Sequence, residues 1–273
     1  MLKGINQWCY PDGTPIEKVF EYSSNAGFDA VELNLNEAGG VGLTVETTKE
    51  EAEKILALAN EYQLQLRSLS TSLLWKTPLS SPDENVRKEG IRVVEKMLEI
   101  ASFIGIDTIL LVPGAVSKEV PYDECYERSQ EAIKHIIPVA EKYNVKIGIE
   151  NVWNKFLLSP LEMARYIDEL DSEYIGAYFD VGNVLQFGFP EQWIKILGKR
   201  IFKVHVKDFS TSVGNITGFV PLLAGDVDWK SVKQALEEIG YEDTLTAELS
   251  PYVLCPSTLA DDTARHLDVI LRA

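Results

Sequence analysis

Histidine and cysteine are both scarce, at 3 residues each in a chain of 273. So few histidines cannot build a His-rich multi-zinc centre, so any metal site has to be mostly carboxylate. The cysteines, Cys9, Cys125 and Cys255, are widely spaced and contain no C-x-x-C pair. That pattern supports neither a disulfide framework nor a structural zinc site, and it suits a reducing compartment. Positive charge is also short, with 26 Lys+Arg against 42 Asp+Glu and a formal net charge of -16. An acidic surface repels phosphate backbones and anionic headgroups, so neither nucleic acid nor membrane is expected as a partner. A small anionic ligand stays compatible, because a few local cations outweigh a distant field. Apolar runs such as Ile109–Val112 fall far short of the roughly 20 residues that span a bilayer. Met1–Trp8 lacks the apolar stretch of a signal peptide, and a cytoplasmic protein is expected. No G-x-G-x-x-G follows the first apolar run, which argues against a doubly wound dinucleotide-binding sheet. No linker or low-complexity tract divides the chain, so one domain over residues 1–273 is expected.

What is present is an alternation. Short apolar or β-branched runs occur at Gly4–Asn6, Ala30–Leu35, Gln65–Leu69, Thr108–Val112, Lys146–Ile149, Ile175–Phe179, Ile201–Val206 and Thr244–Ala247. Between them lie stretches of helical period, such as Ile91-x-x-Val94-x-x-Met97-Leu98-x-x-Ala101. Ser81-Pro82-Asp83-Glu84 and Ser159-Pro160-Leu161-Glu162 each read as a capping Ser ahead of a first-turn Pro. Gly27, Gly105 and Gly240 fall between a helical stretch and the next strand, where a left-handed residue is wanted. The units repeat about every 34 residues, which suits a βαβ repeat. Eight units predict a single (β/α)8 TIM barrel of α/β class. Strands buried on both faces should read as near-continuous apolar runs, as Ile109–Val112 does. The long stretch Phe209–Asp228 predicts a functional loop.

In such a barrel the C-terminal strand ends carry the chemistry. Four apolar strands end on ionisable residues: Glu150, Asp180, His205 and Glu248. Each alone is as readily a cap, an ion-pair partner or a buried histidine. Together they sit on strands five to eight, where three carboxylates would repel one another unless a cation lay between them. The oxygen-rich set favours Mn²⁺, with Mg²⁺ or Co²⁺ as alternatives, over zinc. Lys207 shares a strand face with His205 and is a candidate for a sugar oxygen, a phosphate or an ion pair. Glu32 is a candidate for substrate contact or for supporting the ligands. Asn151 and Asn183 could bind hydroxyls or orient the ligands, and Trp8 and Trp153 could wall a sugar face. Lys76 and Lys155 are further phosphate candidates. His135 and His266 lie in helical stretches and are left out of the site.

At these residues the sequence resembles the xylose isomerase-like TIM-barrel superfamily, in particular its sugar and sugar-phosphate isomerases and epimerases. The matching pieces are Gly148-Ile149-Glu150-Asn151, Phe179-Asp180-Val181-Gly182-Asn183, Val204-His205-Val206-Lys207-Asp208, Gly225-Asp226-Val227-Asp228-Trp229 and Ala247-Glu248. The resemblance implies Glu150, Asp180, His205 and Glu248 as ligands of one divalent ion. It implies Glu150 and Glu248 as the acid/base pair of a 3-epimerase working through a metal-stabilised enediolate, on a ketose or ketose phosphate. Asn183 departs from the tagatose/psicose 3-epimerase pattern, where a His follows the metal Asp by three, and matches the sugar-phosphate branch instead. An inosose- or dehydroshikimate-type dehydratase and a non-catalytic sugar-binding barrel are the competing expectations. The DNA-repair branch, which needs several more histidines, is excluded. The resemblance is also compatible with a homo-oligomer.

Overall fold

In the computed structural model, which describes Met1–Ala273, eight parallel strands close into a barrel. They are β1 (Leu2–Asn6), β2 (Ala30–Asn36), β3 (Gln65–Thr71), β4 (Thr108–Leu111), β5 (Lys146–Glu150), β6 (Ile175–Asp180), β7 (Ile201–Val206) and β8 (Thr244–Ala247). Each pairs with its successor, and β1 pairs with both β2 and β8, which closes the ring. The outer helices are α1 (Ile16–Ala26), α2 (Lys49–Glu61), α3 (Glu84–Phe103), α4 (Tyr122–Tyr143), α5 (Pro160–Asp168), α6 (Pro190–Leu197), α7 (Trp229–Glu238) and α8 (Thr258–Arg272). This is the (β/α)8 TIM barrel that the repeat predicts.

Local signals explain most boundaries. Ser159 caps α5 by accepting the Glu162 N–H at 3.2 Å, with Pro160 in the first turn, as the motif predicts. The parallel motif at Ser81 misleads by two residues. Asp83 is the cap of α3 and accepts the Asn85 N–H at 2.8 Å, while Ser81 accepts the Asp83 N–H in the preceding turn. A carboxylate two residues on from Ser81 competes for the same role and wins. Gly27 ends α1 at φ 84°, a left-handed conformation that costs any other residue.

The strands do not read as continuous apolar runs, apart from β4, and the structure shows why. Their outer faces feed one large apolar core packed between sheet and helices. A separate small apolar cluster, Leu110, Val112 and Tyr178, lies apart from that core. The rest of the buried interior includes Asn6, Glu32, Asn34, Ser68, Ser70, Lys203, His205, Thr244 and Thr246. Because side chains alternate along a strand, these polar residues recur with period two on one face while the other face stays apolar.

An ionic cluster fills the N-terminal end. Lys203, 1% exposed, lies 2.7 Å from Asp243 and 3.0 Å from Asp107, and Arg67 forks onto Asp243 at 2.7 and 3.3 Å. Burial would raise the Asp243 carboxyl, but Arg67 and Lys203 outweigh it and hold it below its ordinary value. At the opposite end, the expected loop after β7 folds back as a short antiparallel hairpin, Asp208–Phe209 against Phe219–Val220.

Candidate metal centre

The four residues singled out at the strand ends converge. One ligand atom from each of Glu150, Asp180, His205 and Glu248 can be chosen so that all lie within 4.8 Å of one another. Register brings them together. Asp180 sits opposite His205 across β6 and β7, and His205 opposite Thr246, two residues before Glu248. Asp180 and His205 are fully buried, and Glu150 is 5% exposed.

Two of the four side chains, Asp180 and His205, are held from behind. Asp180 caps the one-turn helix Val181–Val184, its Oδ1 accepting the Asn183 N–H at 2.8 Å. Asn151 clamps the same residue's backbone, donating to the Asp180 carbonyl at 2.8 Å and accepting its N–H at 2.9 Å. Asn183 in turn donates to the Asn151 carbonyl at 3.0 Å, and the Trp153 indole N–H donates to the Asn183 carbonyl at 2.9 Å. Asn151 and Asn183 thus orient Asp180 through the main chain. Glu32 is 1% exposed. It accepts the His205 Nε2–H at 2.7 Å and also takes hydrogen bonds from Asn6, Ser68 and Tyr178. Of its two expected roles the geometry selects the supporting one, a carboxylate that fixes the imidazole so that Nδ1 faces the other ligands.

The electrostatics suit a cation. Asp180 Oδ2, His205 Nδ1 and Glu248 Oε2 are all buried without a well-formed hydrogen bond. Lys207 Nζ lies 3.2 Å from Asp180 Oδ2 and 2.9 Å from Glu248 Oε2, and His205 Nδ1 lies 2.8 Å from Glu248 Oε2. Burial pushes Glu150 up to about 7, with the Glu248 charge adding to the rise. Burial also raises Asp180, against the pull of Lys207. For Glu248, burial is outweighed by Lys207 and His205, which hold it well below the usual carboxylate range. His205 is raised because Glu32 and Glu248 overcome the cost of burying its charge. Three carboxylates and one imidazole, converging in a buried site, match the donor set of a hard divalent ion.

A cavity of about 580 Å³ opens over the cluster, lined in part by Glu248, Lys207, Asn183, Trp8 and Trp153. Lys76 sits instead in a neighbouring cavity that shares Trp8, and it pairs with Glu37. His135 and His266 lie on α4 and α8, outside the site.

Two contributors escaped the sequence reading. Cys9 Sγ donates to the Ala247 carbonyl at 3.3 Å and accepts the Leu249 N–H at 3.2 Å, so it clips the backbone on both sides of Glu248. Buried Asp208 accepts N–H bonds from Phe209, Leu223 and Val227 and from the Trp229 indole. A Cβ on Gly225 would come within 2.2 Å of Asp208 Oδ1, so only glycine fits there. The Val204–Asp208 and Gly225–Trp229 motifs are therefore two halves of one loop anchor.

Fold and site together define a barrel with a carboxylate-rich cluster, able to hold a metal ion, at its C-terminal mouth. The chain belongs to the xylose isomerase-like TIM barrel family, whose model matches residues 20–270. It is 25% identical over 239 residues to the L-ribulose-5-phosphate 3-epimerase UlaE of Salmonella paratyphi A, covering 87% of this chain and 83% of that one. Epimerases are isomerases, and the chain is an enzyme of that class. Among solved structures, an L-ribulose 3-epimerase superposes with a TM-score of 0.81 at 17% identity, over 99% of this chain and 94% of that one. The 3-keto-D-glucoside 4-epimerase YcjR of E. coli superposes with a TM-score of 0.80 at 15% identity, over 100% of both chains.

Proposed function

We propose that this protein is a divalent-metal-dependent epimerase acting beside a sugar ketone, with 3-epimerisation of a ketose or ketose phosphate as its reaction. The observation that carries the proposal is the pairing of two glutamates, Glu150 from the end of β5 and Glu248 from just beyond β8, in one cluster at the cavity floor. Relatives named as 3-epimerases support it. Glu150, Asp180, His205 and Glu248 would hold the ion, and the oxygen-rich set favours Mn²⁺, with Mg²⁺ or Co²⁺ as alternatives. When bound, the ion supplies Lewis acidity for the charge that develops on the sugar oxygens.

The residues of the chain do the rest. One glutamate takes the C3 proton from one face of the ketose, leaving the enediolate, and the other protonates C3 from the opposite face. Their environments differ, with Glu150 pushed up to about 7 and Glu248 held well below its ordinary value. Two carboxyls with separated proton affinities divide acid and base roles at neutral pH. Lys207, salt-bridged to both Asp180 and Glu248, favours the ionised form of each and adds positive charge beside the developing oxyanion. Trp8, Trp153 and Asn183 line the space above for the sugar. Three free cysteines suit a reducing, cytoplasmic setting.

The test is proton exchange at C3. In D₂O a panel of free and phosphorylated ketoses should include one whose C3–H exchanges, followed by NMR, with an isobaric product. Glu150→Gln and Glu248→Gln should each abolish the exchange. Full exchange in both variants refutes the acid/base assignment, and loss of water from the product turns the reading to a dehydratase.

A further inference from the structure

Two cavities share a wall at Trp153. One, of about 580 Å³, holds Glu248 and Lys207. The other, of about 490 Å³, is bounded by Phe156, Leu157, Leu158, Phe187 and Trp193, and it shares Val152, Trp153 and Asn183 with the first. Pockets of about 300–1,000 Å³ take drug-sized ligands, so the first alone has room for a ketose. A reaction confined to one small sugar leaves the second without a use.

The chemistry of the second cavity is specific. Its only ionisable lining residue is Lys155, and it has no carboxylate. Of its two amides, Asn151 is committed at both ends to the Asp180 backbone and Asn183 through its Nδ2 to the Asn151 carbonyl. A polyhydroxyl chain would lose its water hydrogen bonds there without replacement. The apolar face of a ring would not, and aromatic walls favour one. Phe187 is 81% exposed and Leu158 60%, an unusual exposure of large apolar groups. The Phe187 ring lies 6.4 Å from that of Trp153, tilted by 49°. Trp153 is itself fixed by its hydrogen bond to Asn183 and by edge contact with Phe209 at 5.4 Å. The apolar patch is thus continuous with the wall of the reacting cavity.

We propose that this cavity is a subsite for a second ring carried by the substrate, so that the enzyme acts on keto sugars bearing an aryl group or a second pyranose. The inference rests on the epimerase reading above and names its substrate class. The common chemistry is a flat apolar face that stacks on Trp153 and Phe187.

The experiment compares D-fructose with 6-O-benzyl-D-fructose and 6-O-glucosyl-D-fructose, using exchange of the proton next to the ketone in D₂O. Binding of the benzyl ketose is followed in parallel by tryptophan fluorescence. At least one ring-bearing ketose should show kcat/KM about tenfold above fructose, and which of the two wins identifies the ring. Phe187→Ala should reduce that ratio about tenfold, the loss of one stacking partner, and Leu158→Ala should reduce it less. Equal kcat/KM for all three sugars, or a ratio untouched by both variants, overturns the proposal. If no ketose exchanges, the epimerase reading fails. The subsite then stands on saturable binding of the benzyl ketose that Phe187→Ala weakens, and it falls without that binding. If Phe187→Ala instead dissociates an oligomer in sedimentation, the face belongs to a second copy and the proposal is wrong.

Discussion

Glu32 offers a clean separation of charge from shape. Its carboxylate accepts four hydrogen bonds, with His205 Nε2 and Asn6 Nδ2 on Oε1 and the Ser68 and Tyr178 hydroxyls on Oε2. In Glu32→Gln one oxygen becomes an NH₂. With Nδ1 kept free for the ion the imidazole donates through Nε2–H, and the Asn6 Oδ1 contact with the Trp8 N–H leaves its Nδ2 as donor, whereas hydroxyls can turn and accept, so the new NH₂ takes the place of Oε2. The displaced Tyr178 hydroxyl proton still has Ser68 Oγ at 3.0 Å. The packing therefore survives, and what is lost is the negative charge behind His205. Removing such an orienting group costs about 10–100-fold in metal affinity, or about 1.4–2.8 kcal/mol. The assay is a calorimetric Mn²⁺ titration of folded protein, with His205→Ala as the ligand-loss control. Glu32→Ala serves as the contrast. It strands four buried donors and breaks a buried charge pair, so it should destabilise the fold by roughly 3–5 kcal/mol. A Glu32→Gln protein that binds Mn²⁺ as tightly as the parent, while His205→Ala does not, would refute the argument that Glu32 tunes the site through the imidazole.

Metal uptake should tighten as pH rises through about 7, because Glu150 is pushed up to about 7 and His205 Nδ1 must also shed its proton. Calorimetry in buffers of different ionisation enthalpy should show net proton release, and pH-independent binding would contradict it. Asp243 has a depressed carboxyl, so its contribution to stability is complete above the ordinary carboxylate range and is lost as pH falls through its lowered value. Asp243→Asn should therefore cost about 3 kcal/mol in urea unfolding at pH 7, and less in acid where the parent carboxylate is also neutral. A pH-independent difference would show that the cluster acts through packing alone. Cys9→Ala leaves the Leu249 N–H without its acceptor, at about 1–3 kcal/mol, and frees the backbone that carries Glu248. It should lower kcat more than it raises KM, with Cys9→Ser restoring both contacts and most of the rate. An unchanged rate in Cys9→Ala would show that β8 holds Glu248 unaided.

The sequence was most legible where local chemistry acts alone. The apolar runs located all eight strands, because the outer faces of those strands must be hydrophobic to meet the helices. The ligands stood out because a charged residue ending an apolar strand is conspicuous. What stayed hidden was the inner face. Ser68 and Ser70, Glu32 and Asn34, and Thr244 and Thr246 each alternate with apolar neighbours. That alternation signals a sheet with one polar side, and only closure of the barrel turns that side into a buried interior. Before closure, Glu32 is one polar residue among several. After closure it lies beneath His205, a residue 173 positions away. The same holds for Cys9, which clips a strand end 240 positions on. Cys9 acts across the seam between β1 and β8, and Glu32 reaches through the barrel interior from β2 to β7, strands that do not pair. Ligands can be read from strand ends, but the groups that orient them depend on register. In this chain β1 and β2, which supply no ligand, thus carry the supports for the strands that do.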